Sequence, residues 1–209
     1  MQQIKVSYTI LNAWEQGRYE DAIKYLFKLG VIQTPAMKAG QDFHKSWENE
    51  IAKTKKLPEV FGSKKLINPS PEQYLQAQIN DWLTLSGKID CYDKPTIYEF
   101  KTGKQTSEDV IRSKQPGVYA VLATLNKLYA DRAEIYCYNQ YVKKDNKTMS
   151  IIYLTNKVLE DALNWVETLA RDLLNYCIQN NLFNKYSQNL NTTISNSLAG
   201  NKASNQVPI

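Results

Sequence analysis

The sequence is poor in the residues that build metal ribbons, disulfide scaffolds and membrane spans. It has 3 cysteines, Cys91, Cys137 and Cys177, and no C-x-x-C pair. That excludes a zinc ribbon or an iron–sulfur cluster on closely spaced cysteines, and no disulfide framework is expected. A reducing interior fits this usage. No apolar run approaches the roughly 18 residues of a membrane helix. The opening M-Q-Q-I-K-V-S-Y lacks the apolar centre of a secretion signal. The expectation is a soluble, intracellular protein with no membrane association. No G-x-x-x-x-G-K-[ST] motif occurs, which excludes a phosphate loop and with it a built-in nucleotide-driven motor. His44 is the only histidine. After Tyr186 there is no acidic residue, and Asn, Ser and Thr dominate.

What is present is ordinary globular material. The chain has 209 residues, 43% apolar and 22% charged, enough for one domain with a real core. A net charge of +5 and a pI near 8.9 permit a polyanionic partner without demanding one.

Periodicity divides the chain. Residues 7–29 read as helical, with Gly17 and Gly30 as punctuation. Pro35 opens a second helix over about 36–55. Alternating apolar residues then predict strands around 75–80, 83–90 and 97–101. Turns are expected at Asn80-Asp81 and Asp93-Lys94-Pro95. A helix starts at Ser107, restarts near Ser113 with Pro116 in its first turn, and carries Val118, Val121, Leu122 and Leu125. Strands at about 133–139 and 150–154 flank a turn at Lys143–Lys147. A long helix follows over about 156–180. The expected organisation is a single domain over 1–184, helical at about 1–57, with a flexible polar tail over 185–209. Helices, three strands, helix, two strands, helix is an α/β pattern with a mixed sheet.

The chemistry concentrates between Gly87 and Lys101, G-K-I-D-C-Y-D-K-P-T-I-Y-E-F-K. Positions i and i+2 of a strand share a face, so Glu99 and Lys101 point one way while Tyr98 and Phe100 point the other. A hairpin returns Asp90 toward Glu99. Two carboxylates with open water positions suit Mg²⁺ or Mn²⁺. Alone, an E-x-K on an edge strand is more often solvated surface. Upstream, Gly40, His44 and Glu48 share one helix face, so His44 can reach a metal, although a lone histidine is more often a surface group. Gln115 and Tyr119 are also i, i+4 partners, able to contact a metal water or a phosphate, or simply to form a polar face.

Taken in order, Gly40/His44, Gly87/Asp90, Glu99-Phe100-Lys101-Thr102 and Gln115/Tyr119 resemble the motifs of RecB-like nucleases of the PD-(D/E)XK superfamily. The resemblance covers about residues 36–155. It implies a restriction-endonuclease-like core, αβββαβ, with a central mixed sheet flanked by helices. It also implies a metal held by His44, Asp90, Glu99 and the backbone carbonyl of Phe100, with Lys101 orienting the water and Gln115 and Tyr119 assisting. The CRISPR-adaptation members of this group carry cysteines for an iron–sulfur cluster. This chain does not, so it looks more like the cluster-free branch found in phage and mobile-element exonucleases. Pro116 directly after Gln115 departs from the usual pattern.

The expected activity is metal-dependent hydrolysis of DNA phosphodiesters from an end, in recombination, repair or phage and mobile-element replication. The expected setting is a bacterial or phage-encoded cytoplasmic protein, with a helicase, recombinase or single-strand-binding protein as a possible partner. A structure-specific or restriction-type endonuclease and a non-catalytic nucleic-acid-binding subunit stand as alternatives. Lys104, Arg112, Lys114 and Tyr119 are the DNA-contact candidates, with Lys53, Lys55, Lys56, Lys64 and Lys65 as further cations. Trp47 and Trp82 either stack bases or fill the core.

Overall fold

The computed structural model describes residues 2–30, 32–142 and 146–186. The turn expected at Lys143–Lys147 lies mostly outside these residues, as does the expected tail beyond Tyr186. Contact density divides the chain into two compact units, Met1–Tyr8 with Gln33–Thr168, and Thr9–Ile32 with Leu169–Ile209.

The first unit is built on a six-stranded mixed sheet. Its strands are β1 (Ile4–Val6), β2 (Ser70–Asn80), β3 (Leu83–Asp93), β4 (Thr96–Thr102), β5 (Arg132–Tyr138) and β6 (Lys147–Tyr153). β2–β3, β3–β4 and β5–β6 pair antiparallel, whereas β1–β3 and β4–β5 pair parallel. β3 organises the sheet. β2 follows one edge of β3 from Leu83 to Tyr92. The opposite edge is shared: β1 takes Leu83–Leu85 and β4 takes Cys91–Asp93. Between these two pairings, no strand of the described residues lies beside the middle of β3 on that edge.

Several elements depart from the sequence expectation. β1 lies just before the helix expected over 7–29, inside the part expected to be helical as a whole. Its Ile4 and Val6 are buried with Lys5 exposed between them, a strand alternation too short to stand without β3. The single helix expected over 7–29 is two, α1 (Tyr8–Glu15) and α2 (Tyr19–Phe27), because Gly17 turns the chain at φ 71°. β2 begins five residues earlier than its alternation suggested and includes Pro71. As an edge strand it tolerates a residue that cannot donate to a ladder. The next helix, α4 (Ser107–Arg112), is capped by Thr106, not Ser107: Thr106 and Asp109 exchange the reciprocal bonds of a capping box.

Helices α3 (Pro35–Thr54), α5 (Gln115–Leu125) and α6 (Asn156–Gln179) form where periodicity places them. α3 starts at Thr34, whose hydroxyl accepts from the Met37 N–H, with Pro35 in the first turn. Its inner face brings Trp47 and Ile51 onto Tyr98, Phe100 and Tyr136 of the sheet. Trp47 is therefore core, not a base-stacking platform. α5 meets the first part of α6 at Gly117, where an added Cβ would lie 2.8 Å from the Ala162 Cβ.

In the second unit, Trp14 donates its indole N–H to Asp172 at 2.8 Å, and Phe27 packs edge-on against Phe183. The apolar stripe of α6 supplies Ala170, Leu173, Leu174 and Cys177 here. Residues 182–186 are helical.

Two outcomes follow from this packing. Gly117→Ala inserts a methyl against a backbone-anchored Cβ, so it should cost about 1–3 kcal/mol in chemical denaturation. All three cysteines are buried, and burial pushes Cys91 and Cys177 up to about 12 and Cys137 up to about 11. A thiol reagent at neutral pH should leave all three unlabelled in the native protein and label them on unfolding.

Candidate active site

The gap along β3 sets the position of the site. The pairing Cys91↔Tyr98, continued by one step, puts Asp90 across from Glu99. The ladder stops there, and a side chain takes its place: Asp90 Oδ2 accepts the Phe100 N–H at 2.8 Å. A residue's N–H and C=O leave a strand on the same edge, so the Phe100 carbonyl also faces β3. The other oxygen of Asp90 meets His44 Nδ1 at 3.4 Å. His44 reaches it from α3, whose Gly40 passes so near β4 that an added Cβ would be 3.1 Å from Thr102 Oγ1.

Glu99 is 2% exposed. Its Oε1 accepts from Gln115 Nε2 at 2.7 Å and pairs with the Lys101 ammonium. Gln115 also donates to the Tyr119 hydroxyl at 3.0 Å. The i, i+4 pair on α5 thus bridges Glu99 to a phenol, and Pro116, at the second helical position, does not disturb it. Tyr119 fits against β3 because Gly87 lacks a side chain: a Cβ there would lie 3.0 Å from Tyr119 Cε1. Glu99 Oε2 is buried with no hydrogen-bond partner among the described residues. An unpartnered buried carboxylate oxygen is costly and is the kind of atom a cation satisfies.

Electrostatics follow from this crowding. Burial pushes the Glu99 carboxyl up to about 7, and the charge of Asp90 adds to it, while Lys101 and His44 pull it back. Burial opposes charging of His44, yet Asp90 and Glu99 outweigh it and hold the imidazole above its ordinary value. Lys101 is raised in the same way, burial being overcome by Glu99 and Asp90. Tyr119 is raised well above its ordinary value, by burial first and then by both carboxylates, so it stays a neutral hydroxyl.

One residue escaped the sequence reading. Oxygens of Glu72 and Asp90 and a nitrogen of His44 all lie within 4.8 Å of one another. The same three residues line a cleft of about 650 Å³ with Gly40, Lys45 and Lys88. Glu72 sits on β2, in a segment with no alternation to mark it. The hard oxygen and imidazole donors of Asp90, Glu99, Glu72 and His44 fit a divalent cation such as Mg²⁺ or Mn²⁺.

Of the other cations, Lys104 is exposed in a second cleft with Thr102, Gly103 and Tyr141. Arg112 lies on the exposed face of α4, 3.6 Å from Glu108, and Lys114 precedes α5. Lys64 is engaged elsewhere: it pairs at 3.0 Å with buried Glu134, which Tyr136 also bonds.

Asp, Glu and Lys thus meet where the sheet splays, backed by a Gln–Tyr pair from α5. The chain belongs to the PD-(D/E)XK nuclease superfamily, whose model matches residues 5–185. No curated protein matches it significantly in sequence. Among solved structures it is similar to the protein SSO0001, at TM-score 0.56 and 16% identity over 83% of this chain and 77% of that one. It is also similar to the alkaline exonuclease LHK-Exo from Laribacter hongkongensis, at TM-score 0.55 and 10% identity over 88% of this chain and 94% of that one, a protein also solved in complex with dAMP. Identities this low speak for the fold. Members of the superfamily use divalent metals, and no helix among the described residues is long and apolar enough to cross a membrane.

The raised Glu99 carboxyl has a measurable consequence in cation-free protein. A carboxyl whose folded pKa exceeds its unfolded value stabilises the fold while protonated, and that contribution is lost as pH rises through the folded value. With chelator present, the parent should lose on the order of 2–3 kcal/mol relative to Glu99→Gln as pH rises from about 4.5 through about 7. Denaturant titrations across that window measure the difference.

Proposed function

We propose that the protein is a divalent-metal-dependent deoxyribonuclease that hydrolyses DNA from its ends, acting in recombination, repair or the replication of a phage or other mobile element. The observation that supports this reading is the meeting of Asp90, Glu99 and Lys101 where β3 and β4 diverge, with a Glu99 oxygen that has no partner among the described residues. A fold neighbour that is itself an alkaline exonuclease, and its dAMP complex, favour the same direction. The setting we assign is cytoplasmic. A helicase, recombinase or single-strand-binding protein would supply any unwinding, since the chain carries no phosphate loop.

In this reading His44, Asp90, Glu99 and the Phe100 carbonyl hold the ion. When bound, the ion activates a water and neutralises charge on the phosphoryl group. The chain's own groups do the rest. Lys101 carries a permanent charge beside Glu99, positioned to orient the water and to offset negative charge developing on the phosphate. Gln115 fixes the Glu99 carboxylate through its amide. Tyr119 remains a neutral donor at physiological pH, aimed into the same polar cluster. Lys104, Arg112 and Lys114 are exposed cations suited to the phosphate backbone.

The test is digestion of end-labelled linear and closed circular DNA with Mg²⁺ or Mn²⁺, beside Lys101→Ala. The expected result is loss of linear DNA from an end, survival of circles, and a fall of about 10²-fold or more in the variant. Cutting of circles would identify an endonuclease instead. No cleavage of either form by the folded parent would overturn the enzymatic reading.

A further inference from the structure

We propose that Glu72 is a cation ligand contributed by β2, and that Lys88 is its displaceable counter-ion. The inference rests on the metal-dependent reading above and adds a residue that lies outside the motif set. β2 pairs with β3 at Pro71↔Cys91 and Gln73↔Ile89, which puts Glu72 across from Asp90. Glu72 itself departs from extended backbone, at φ 54°, and its carboxylate turns toward the Asp90 side chain. The result is the cluster already described, in which Glu72, Asp90 and His44 each offer one ligand atom within 4.8 Å of the others. Across from Asp90, Glu99 carries a buried oxygen with no hydrogen-bond partner among the described residues, a second mark of unmet demand for a cation.

Lys88 lies two residues before Asp90 on β3, and its ammonium pairs with Glu72 Oε2. The two partners are unlike. The Lys88 side chain is 55% exposed, whereas that of Glu72 is 18% exposed. An ion pair with one solvent-facing, flexible partner contributes little, so it is easily given up. A divalent ion held by Glu72, Asp90 and His44 would offer the carboxylate twice the charge of the ammonium. Lys88 can then swing into water with little loss. Lys88 therefore neutralises the acidic cleft when no ion is bound and competes weakly with the ion.

Opposite effects are expected from the two partners. Glu72→Gln removes a ligand charge and should weaken Mn²⁺ binding by about 10-fold. Lys88→Met removes the competitor and should tighten it by a few-fold. Glu72→Gln is isosteric and Lys88→Met keeps most of the apolar stem, and thermal melts in chelator establish that each variant folds.

The experiment is calorimetric titration of Mn²⁺ into the parent, Glu72→Gln, Lys88→Met and Asp90→Asn, with Mn²⁺ electron paramagnetic resonance counting the bound ions. Weaker binding in Glu72→Gln together with tighter binding in Lys88→Met establishes the proposal. If the parent and both variants bind within about two-fold of one another while Asp90→Asn loses binding, Glu72 is only a surface ion-pair partner and this inference fails alone. If the parent binds no Mn²⁺, the metal-dependent reading and this inference fall together.

Discussion

The structure depends on the divided edge of β3. A strand whose edge is paired along its whole length buries its backbone groups in a ladder and leaves little room for chemistry. Here β1 occupies one end of that edge and β4 the other. The Phe100 N–H at the divergence still needs an acceptor, because an unpaired buried amide costs as much as a lost hydrogen bond. Asp90 supplies it with one carboxylate oxygen and keeps the second for His44. The same side chain closes the sheet and opens the site, which ties the placement of the carboxylates to the integrity of the fold.

Around that gap the protein holds more charge than it can comfortably satisfy. Glu99 is enclosed, bonded on one oxygen and unbonded on the other. Its rise to about 7 corresponds to roughly 3 kcal/mol against the ionised form. Lys101 recovers part of this by pairing, and Gln115 by donating. What remains is a deficit of positive charge at one point, among oxygen ligands. This is a site whose electrostatics are incomplete without a cation, and the incompleteness resides in named atoms.

Much of this was legible in the sequence. The helical stripes of α3, α5 and α6 and the alternation in β3 are local patterns, and the ordered motifs fixed the family through Gly40, His44, Asp90, Glu99, Lys101, Gln115 and Tyr119. The illegible parts are those decided by distant partners. β1 is three residues that are a strand only because Leu83–Leu85 lies beside them. The first five residues of β2 include Pro71, which a strand accepts here only because β2 is an edge. Glu72 carries no periodic signal, and its place opposite Asp90 follows from a register set by the whole hairpin. The Thr106–Asp109 capping box was visible in principle as T-x-x-D, but neighbouring Ser107 offered an equally plausible start.

The glycines explain how the catalytic candidates from separate elements meet. Gln115 and Tyr119 can reach Glu99 only if α5 lies close to β3, and that approach is set on two sides. At Gly87 the missing side chain leaves room for the Tyr119 ring and for Leu122. At Gly117 it lets the opposite side of α5 sink onto Ala162 and Val158. A side chain at Gly87 would press on the flexible ends of Tyr119 and Leu122, displacing the phenol directly. One at Gly117 would press on a Cβ and a backbone carbonyl, which cannot yield, and would shift the helix as a body. The first glycine therefore controls the orientation of one site residue, while the second controls the distance between α5 and α6. Gly40 does the same for α3, letting it approach Thr102 closely enough for His44, one turn later, to meet Asp90. Three absences of a side chain thus set the spacing at which five polar residues become a site.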